Sequence, residues 1–273
     1  MPSTEFEIPR PSEIRRRILE MAYSGQSVHI PSAFSVVELI RVLHDVYLRY
    51  PNNDPNHPNR DFFVLSKGHG VMALYPILEA RGWIPPEYID NYFGPGSNLP
   101  GLYEAHVPGC EANTGSLGQG ITVAVGLAKS ARLRQTDQQV FCLVGDGEMN
   151  EGTFWEAVMF AGHQSLSNFT LLVDLNGYQA MGKTKDVLEI GALDSVLKGF
   201  GFQVAIIDGH NEEEINNAMS PNLAGLEGQP RAVLAKTVKG KGLSFMENDN
   251  AWHYRRLDEA LFTKSVSEIE SAN

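Results

Sequence analysis

The sequence predicts an α/β fold built on a doubly wound, mostly parallel sheet with helices on both faces. From Gly118 onward, short apolar runs of strand length alternate with segments whose apolar residues recur at helical spacing, the order that strand–helix–strand units produce. The strand runs are apolar at nearly every position, as a sheet covered on both sides requires. Composition agrees. At 273 residues, with 42 % hydrophobic and 20 % charged side chains, the chain can bury a sizeable core as one large domain or two small ones. Its 26 glycines and 15 prolines favour tight turns over long uninterrupted helices.

Residues 1–11 contain three prolines and are expected to be a flexible lead-in. Ile14, Ile18, Met21 and Ala22 then recur at helical spacing. Ser35, with Glu38 three residues later, reads as a capping box opening a second helix whose apolar face runs Val36, Val37, Ile40, Leu43 and Tyr47. The stretch 51–60 is a loop of turn formers. A short apolar run, 62–65, leads into Ser66-Lys67-Gly68-His69-Gly70 and a helix to about Arg81. Residues 94–117 are rich in Gly, Pro, Ser and Asn, and an irregular stretch of that length is usually functional. A small-residue helix (118–134) precedes a strand (139–144). Gly145-Asp146-Gly147 then turns into a helix from about Glu151 to His163. Strands at 169–175, 202–207 and 232–238 and helices near 193–200 and 212–219 complete the pattern. Neither an internal repeat nor a linker interrupts it. The domain is expected to span 12–263, with a polar tail, 264–273, that frays.

The formal net charge of −11 disfavours nucleic acid and anionic membranes as partners. It leaves room for an anionic ligand held locally by a helix N-terminus or a cation. Cys110 and Cys142 form no CxxC, which excludes a disulfide scaffold and a zinc ribbon. With no apolar leader and no membrane-length apolar run, a cytoplasmic location is expected. Asn168-Phe169-Thr170 is then a chance sequon inside a strand. No Walker-type loop, no HExxH and no GxSxG occurs, and Gly118-Gln119-Gly120 is a poor dinucleotide fingerprint because it lacks the third glycine and does not follow a strand.

What remains is a constellation. Gly145-Asp146-Gly147 ends a strand, where ligands of open parallel sheets sit. Glycines there admit a phosphate, but an Asp would repel it unless a cation lay between them. Alone, the motif favours an ordinary glycine turn with a capping Asp. Asn176-Gly177 ends the next strand. Adjacent parallel strands would bring the Asp146 carboxylate and the Asn176 amide oxygen together. The Tyr178 carbonyl gives a third oxygen, and two diphosphate oxygens and a water complete the octahedron of Mg²⁺. His29, His69 (between glycines) and His253 (between aromatic residues) are each by themselves more often satisfied structural histidines. Glu111 to Gly120 is a glycine-rich loop entering a helix.

Taken with six collinear stretches, these motifs resemble the N-terminal half of transketolase, most of all the split form in which this half is a separate subunit. The stretches are 60–70 (RDFFVLSKGHG), 114–121 (TGSLGQGI), 145–157 (GDGEMNEGTFWEA), 174–177 (DLNG), 207–211 (IDGHN) and 236–253 (KTVKGKGLSFMENDNAWH). The likeness runs from about residue 12 to 262. It implies that thiamine diphosphate is bound through Mg²⁺, or Ca²⁺ or Mn²⁺ in its place, with Asp146, Asn176 and the Tyr178 carbonyl as metal ligands. Gly145 and Gly147 would sit against the diphosphate, and Gly115, Ser116 and Leu117 near the thiazolium and aminopyrimidine. His69 and His253 would flank the diphosphate and substrate, and His29 would face the substrate, so these three are the implied catalytic residues. Glu151 would link neighbouring active sites.

The implied activity is transfer of a two-carbon ketol unit from a ketose, or ketose phosphate, to an aldehyde or a specialised acceptor. The acid that activates the aminopyrimidine lies, in this family, in the pyrimidine-binding half. That half would be a C-terminal transketolase subunit carrying the catalytic Glu, giving an A2B2 heterotetramer and leaving the single chain inactive. Other readings are one half of a 2-oxo-acid decarboxylase or dehydrogenase, and a catalytically silent partner. The histidines favour ketol transfer over the first, and intact Asp146 and Asn176 argue against the second. The face Gly120, Ala124 and Ala128 suits a subunit interface or the parent sheet equally. Several positions depart from the family pattern: Tyr254 stands where Gly is usual, Met181-Gly182 replaces Asp-Gly, Ala180 replaces a larger apolar residue, and Gly101-Leu102-Tyr103 lacks the expected histidine. The segment around His29 reads SGQSVHIP rather than a plain SGH.

Overall fold

The computed structural model describes residues 6–220 and 228–271. Helix α1 (Pro11–Ser24) starts where Pro11 needs no amide partner, and Glu13 caps it, accepting from the Arg10 amide and the Arg10 guanidinium, each at 2.8 Å. Its face Ile14, Ile18, Met21 and Ala22 is fully buried. Short helices α2 (Ile30–Phe34) and α3 (Val37–Val42) follow, the latter running into a wider turn at 43–47. The expected capping box at Ser35 and Glu38 does not form. The Ser35 hydroxyl instead donates to Asp174 at 2.8 Å, and Glu38 is an ion-pair partner. Strand β1 (Phe62–Leu65) leads into a single tight helical stretch, 68–73, and then α4 (Tyr75–Ala80), so the helix expected after His69 is broken into two. Helix α5 (Pro86–Asp90) precedes the irregular stretch. That stretch is pinned to the sheet: the Thr114 hydroxyl donates to the Leu65 carbonyl at 2.7 Å, and the Tyr103 hydroxyl donates to the Phe63 carbonyl.

The remaining elements are α6 (Gln119–Leu133), β2 (Val140–Gly145), α7 (Gly152–His163) and β3 (Phe169–Leu175). A small hairpin of β4 (Tyr178–Gln179) and β5 (Gly182–Lys183) comes next, then α8 (Thr184–Val187), α9 (Leu193–Gly199), β6 (Gln203–Asp208), α10 (Glu212–Met219), β7 (Arg231–Lys236) and α11 (Glu259–Ser271). The tail expected to fray is therefore helical to residue 271. Ile269 is buried, and Tyr23 of α1 stacks on Phe262 at 4.5 Å. The lead-in is ordered at least at Ile8, which is 3 % exposed; residues 1–5 lie outside the described residues.

The main sheet has the order β1-β2-β3-β7-β6 with every pair parallel. Its strands alternate between two apolar layers. Phe63, Leu65, Phe141, Leu143, Leu172, Val233 and Ala235 join the core on one face; Val64, Val140, Cys142, Val144, Phe169, Leu171, Val173, Ala232 and Leu234 join the core on the other. This double burial explains why the strand runs carry no polar alternation. The small-residue face of α6 lies on the parent sheet. Ala124 and Ala128 are fully buried, and a side chain at Gly120 would stand 2.6 Å from the Ser66 Cα. Asn168 of the sequon is buried, its amide donating to the Ala128 and Gln138 carbonyls. Among the described residues no helix is long and apolar enough to cross a membrane.

One buried polar network ties three elements below the site. Glu38 of α3 pairs with Arg15 of α1 at 2.7 Å and with His210, just after β6, at 3.0 Å, with Arg15 and Glu38 each 6 % exposed. Burial alone would raise the Glu38 carboxyl, but His210 and Arg15 hold it below its ordinary 4.5. Such a group stabilises the fold above pH 4.5, and that contribution is lost as the pH falls through its folded value. Glu38→Gln leaves Arg15 buried without a countercharge and should cost about 3–5 kcal/mol at neutral pH. Urea unfolding at pH 7 and pH 4 checks this: the deficit should shrink at the lower pH.

Candidate functional site

A cleft of about 220 Å³ opens at the carboxyl ends of β1, β2, β3 and β7. The opposite end of the sheet carries a wider cleft of about 760 Å³ beside Arg49 and Arg231, but no histidine lines it. Chemistry, not size, marks the first as the site.

The register explains its floor. Gly145 pairs with Asp174 and Asp174 with Ala235, so Asp146, Asn176 and Thr237 emerge together just beyond the ladder. The buried Asp146 carboxylate accepts from the amides of Gly147 (2.9 Å) and Gly177 (2.7 Å) and from the Thr184 hydroxyl (3.1 Å). Burial, and then neighbouring Asp174, push it up to about 6. Hydrogen bonds from Gly177 and Thr184 and the charge of Lys67 offset only part of this, and a bound cation would favour the ionised form further. Asn176 donates its Nδ2 to Asp174 at 2.7 Å and accepts from the Tyr178 amide on Oδ1 at 3.0 Å. The hairpin folds over the glycine turn so closely that a Cβ on Gly147 would lie 2.7 Å from the Gln179 Cβ, which is why a glycine stands there.

Beneath this floor Asp174 is fully buried. Burial would raise it, but Lys67, which pairs with it directly, holds it below its ordinary range. Glu148 is also buried, bonded to Ser66 and to the Gly118 amide that caps α6 with φ 80°. Burial raises its carboxyl.

The wall is a histidine cluster. His29 holds a left-handed backbone (φ 67°) ahead of α2, its ring edge-on to His69 at 4.6 Å and to His253 at 4.9 Å. Burial, then His69 and Lys239, lower His29 to about 4. Burial, then Lys239, lower His253 to about 3, and burial followed by Lys67 lowers His69. All three imidazoles are neutral at pH 7, so each can accept or relay a proton. Lys239, 1 % exposed, donates to Asn250 at 2.7 Å and to His253 Nδ1 at 3.2 Å. Burial and Lys67 lower it to about 8, which leaves it mostly charged at pH 7. The Tyr254 ring stands at the mouth, 4.6 Å from His253 and 63 % exposed.

The arrangement can hold a hard cation and an anion bridged to it. Asp146, Asn176 and a backbone carbonyl are oxygen donors of the class that Mg²⁺ takes. Among the described residues no group of three His, Cys, Asp or Glu side chains could hold a metal alone. Further oxygens would come from water or from a bound ligand. Glycine amides and Lys239 suit an anionic one.

Of the expected site residues, His29, His69, His253, Leu117, Gly145, Asp146, Gly147, Asn176 and Tyr178 line this cleft. Gly115 and Ser116 do not: Gly115 packs on Leu102, and Ser116 is exposed beside it. Glu151 is exposed at the start of α7, next to Gly118 and outside the cleft. Tyr103 is a core residue, fully buried, so the 101–103 segment puts that side chain into the fold and not the cleft. Lys67, Glu148, Asp174 and Lys239 are functional neighbours that the motifs alone do not single out. One signal was available for Asp174: a charged residue inside a doubly covered strand must be paired.

Comparison with known proteins gives a consistent result. The family model described as transketolase, thiamine diphosphate binding domain, matches residues 12–266. The chain is 36 % identical to the 6-deoxy-6-sulfo-D-fructose transketolase subunit of Clostridium sp. (strain MSTE9), covering 94 % of each chain. It is 38 % identical to an apulose-4-phosphate transketolase subunit of Actinobacillus succinogenes, over 89 % of this chain and 88 % of that one. The human transketolase is 31 % identical over 95 % of this chain, which spans 41 % of that protein. The crystal structure of Campylobacter jejuni transketolase superposes with a TM-score of 0.87 at 30 % identity, over 95 % of this chain and 42 % of that one.

Proposed function

The chain belongs to the transketolase thiamine diphosphate-binding domain family, and from that premise we propose that it is the cofactor-binding subunit of a two-chain transketolase. The observation that carries this reading is the joint placement of Asp146, Asn176 and three neutral histidines around one cleft at the strand ends.

In the proposed enzyme, Asp146, Asn176 and the Tyr178 carbonyl would hold a divalent cation, Mg²⁺ or in its place Ca²⁺ or Mn²⁺, whose charge would offset that of the diphosphate. Gly145 and Gly147, which line the cleft, would sit against the diphosphate, and Lys239 would offset its charge. Thiamine diphosphate supplies the electron sink for breaking the bond between C2 and C3 of a ketose. The chain's residues orient the sugar and move protons. His29, His69 and His253, neutral at pH 7, take the proton from a substrate hydroxyl as its carbonyl forms and return it when the two-carbon unit reaches the aldehyde acceptor. The substrates are a ketose donor and an aldehyde, or a more specialised acceptor. Tyr254 at the mouth would shape the substrate side. The location is cytoplasmic, in keeping with the reduced, buried Cys110 and Cys142.

The acid that faces the aminopyrimidine is supplied by a separate C-terminal transketolase subunit carrying the pyrimidine-binding domain, in an A2B2 assembly. The chain spans only 41 % of a single-chain relative and nearly all of the relatives named as subunits. Val123 and Leu133 on α6 and Met159 and Phe160 on α7 are exposed apolar side chains, 37–71 % accessible. They suit that partner. Phe160→Glu should weaken assembly by at least about 30-fold, the loss of a hot-spot side chain, while leaving the isolated chain's melting temperature unchanged. Sedimentation of the two subunits mixed at fixed ratio checks it.

The reading itself is tested by reconstitution. With thiamine diphosphate, Mg²⁺ and the partner subunit, ketol transfer between a ketose and an aldehyde should appear. The chain alone should show none. Full activity without the partner would refute the two-chain enzyme.

A further inference from the structure

We propose that Asp174 is a positioning residue that fixes the Asn176 side-chain amide with its carbonyl oxygen turned toward the cation site. This rests on the reading of Asn176 as a metal ligand. An asparagine amide can sit either way round, and only one orientation offers oxygen to a cation. Here the choice is forced from below. Asn176 Nδ2 donates to Asp174 Oδ2 at 2.7 Å, and Oδ1 takes the Tyr178 amide at 3.0 Å. Turning the amide over would set its carbonyl against the carboxylate and its NH₂ against the Tyr178 N–H, losing both bonds.

Asp174 is built for that single task. Its Oδ2 also accepts from Ser35 Oγ at 2.8 Å and from Lys67 Nζ, and its Oδ1 accepts from Thr237 Oγ1. Each donor comes from a different element: the end of α2, the segment after β1 and the segment after β7. With both oxygens filled by donors, and no exposed surface, the carboxylate has no place in the cation's own shell. It can only orient a neighbour. Ser35, Lys67 and Thr237 all donate to it, so it meets the amide as an acceptor and reads its NH₂ end. Outer partners of this kind set ligand orientation, and their loss typically costs about 10–100-fold in metal affinity.

The test uses the assembled two-chain protein with saturating thiamine diphosphate, and Mn²⁺ as the probe, counted free and bound by electron paramagnetic resonance. Wild type must bind Mn²⁺ in a cofactor-dependent way; if it does not, the reading of the site fails, whatever Asp174 does. Asp174→Asn, whose side chain can present either an oxygen or an NH₂ to Asn176, should raise the Mn²⁺ dissociation constant about 10–100-fold. Melting of the metal-free protein is recorded in parallel. A variant that melts lower yet binds Mn²⁺ within threefold of wild type would make Asp174 a structural residue only and overturn the proposal. Should the single change not fold because Lys67 is left unpaired, Asp174→Asn with Lys67→Gln removes the stranded charge. The double variant should keep the weakened affinity, and its return to wild-type affinity would also overturn the proposal.

Discussion

Asp146→Ala is expected to abolish metal-dependent cofactor binding. The side chain is the one carboxylate on the cleft floor whose oxygens sit beside the glycine turn and reach Gly177 and Thr184. Removing it leaves Asn176 and a carbonyl, neither charged, to hold a divalent cation against a diphosphate. The loss should exceed the roughly 100-fold that outer-shell changes produce, and ketol transfer should fall with it. Because burial pushes the empty Asp146 carboxyl up to about 6, its ionised form is disfavoured in the metal-free fold. A group raised in this way weakens the fold as the pH climbs from its ordinary 3.8 to about 6, a cost fully present at neutral pH, so the alanine variant should melt no lower than wild type near neutral pH when metal is withheld. Calorimetric titration of thiamine diphosphate with and without Mg²⁺, beside a melting curve, measures both. Retained binding with normal turnover would remove Asp146 from the metal site.

His29→Asn should have the second large effect, and of a different kind. Asparagine tolerates the left-handed backbone that His29 adopts, so the fold should survive the change. What it removes is an imidazole held neutral at pH 7 and stacked edge-on between two others. If His29 takes and returns a substrate proton, kcat should fall by about 10²–10⁴-fold. The cofactor's dissociation constant should stay within a few fold of wild type, since the role proposed for His29 is on the substrate. A fall in cofactor affinity with unchanged kcat would place His29 at the diphosphate instead. Steady-state kinetics on the reconstituted enzyme separates the two outcomes.

The pattern of strand runs was legible because double burial removes polar alternation. Phe63 and Val64 face opposite cores, and no residue between Val140 and Val144 needs to be polar. Asp146 and Asn176 were legible as a pair because parallel neighbours in register bring residues thirty apart to one edge, and Gly145 does pair with Asp174. Ser35 misled. Its spacing to Glu38 is that of a capping box, yet its hydroxyl donates to the buried Asp174 carboxylate on β3 and the Glu38 carboxylate pairs with Arg15 and His210, so the tertiary bonds won. The last turns were misread for a similar reason. Their polar surface hides Ser265 and Ile269, which fill a groove on α1. The support beneath the site was the least legible part. Lys67, Asp174 and Thr237 lie far apart along the chain, and only the closed sheet shows that they form one network.

The proposed chemistry depends most on a divalent cation that sits between Asp146 and Asn176 and ties a diphosphate to the strand ends. The most direct measurement is an anomalous difference map from crystals of the assembled enzyme grown with Mn²⁺ and thiamine diphosphate. The expected result is a single Mn²⁺ peak within coordination distance, about 2.0–2.6 Å for hard divalent cations, of Asp146 and Asn176 oxygens, with the diphosphate over Gly147. A peak elsewhere, or a cofactor bound with no metal at this position, would contradict it.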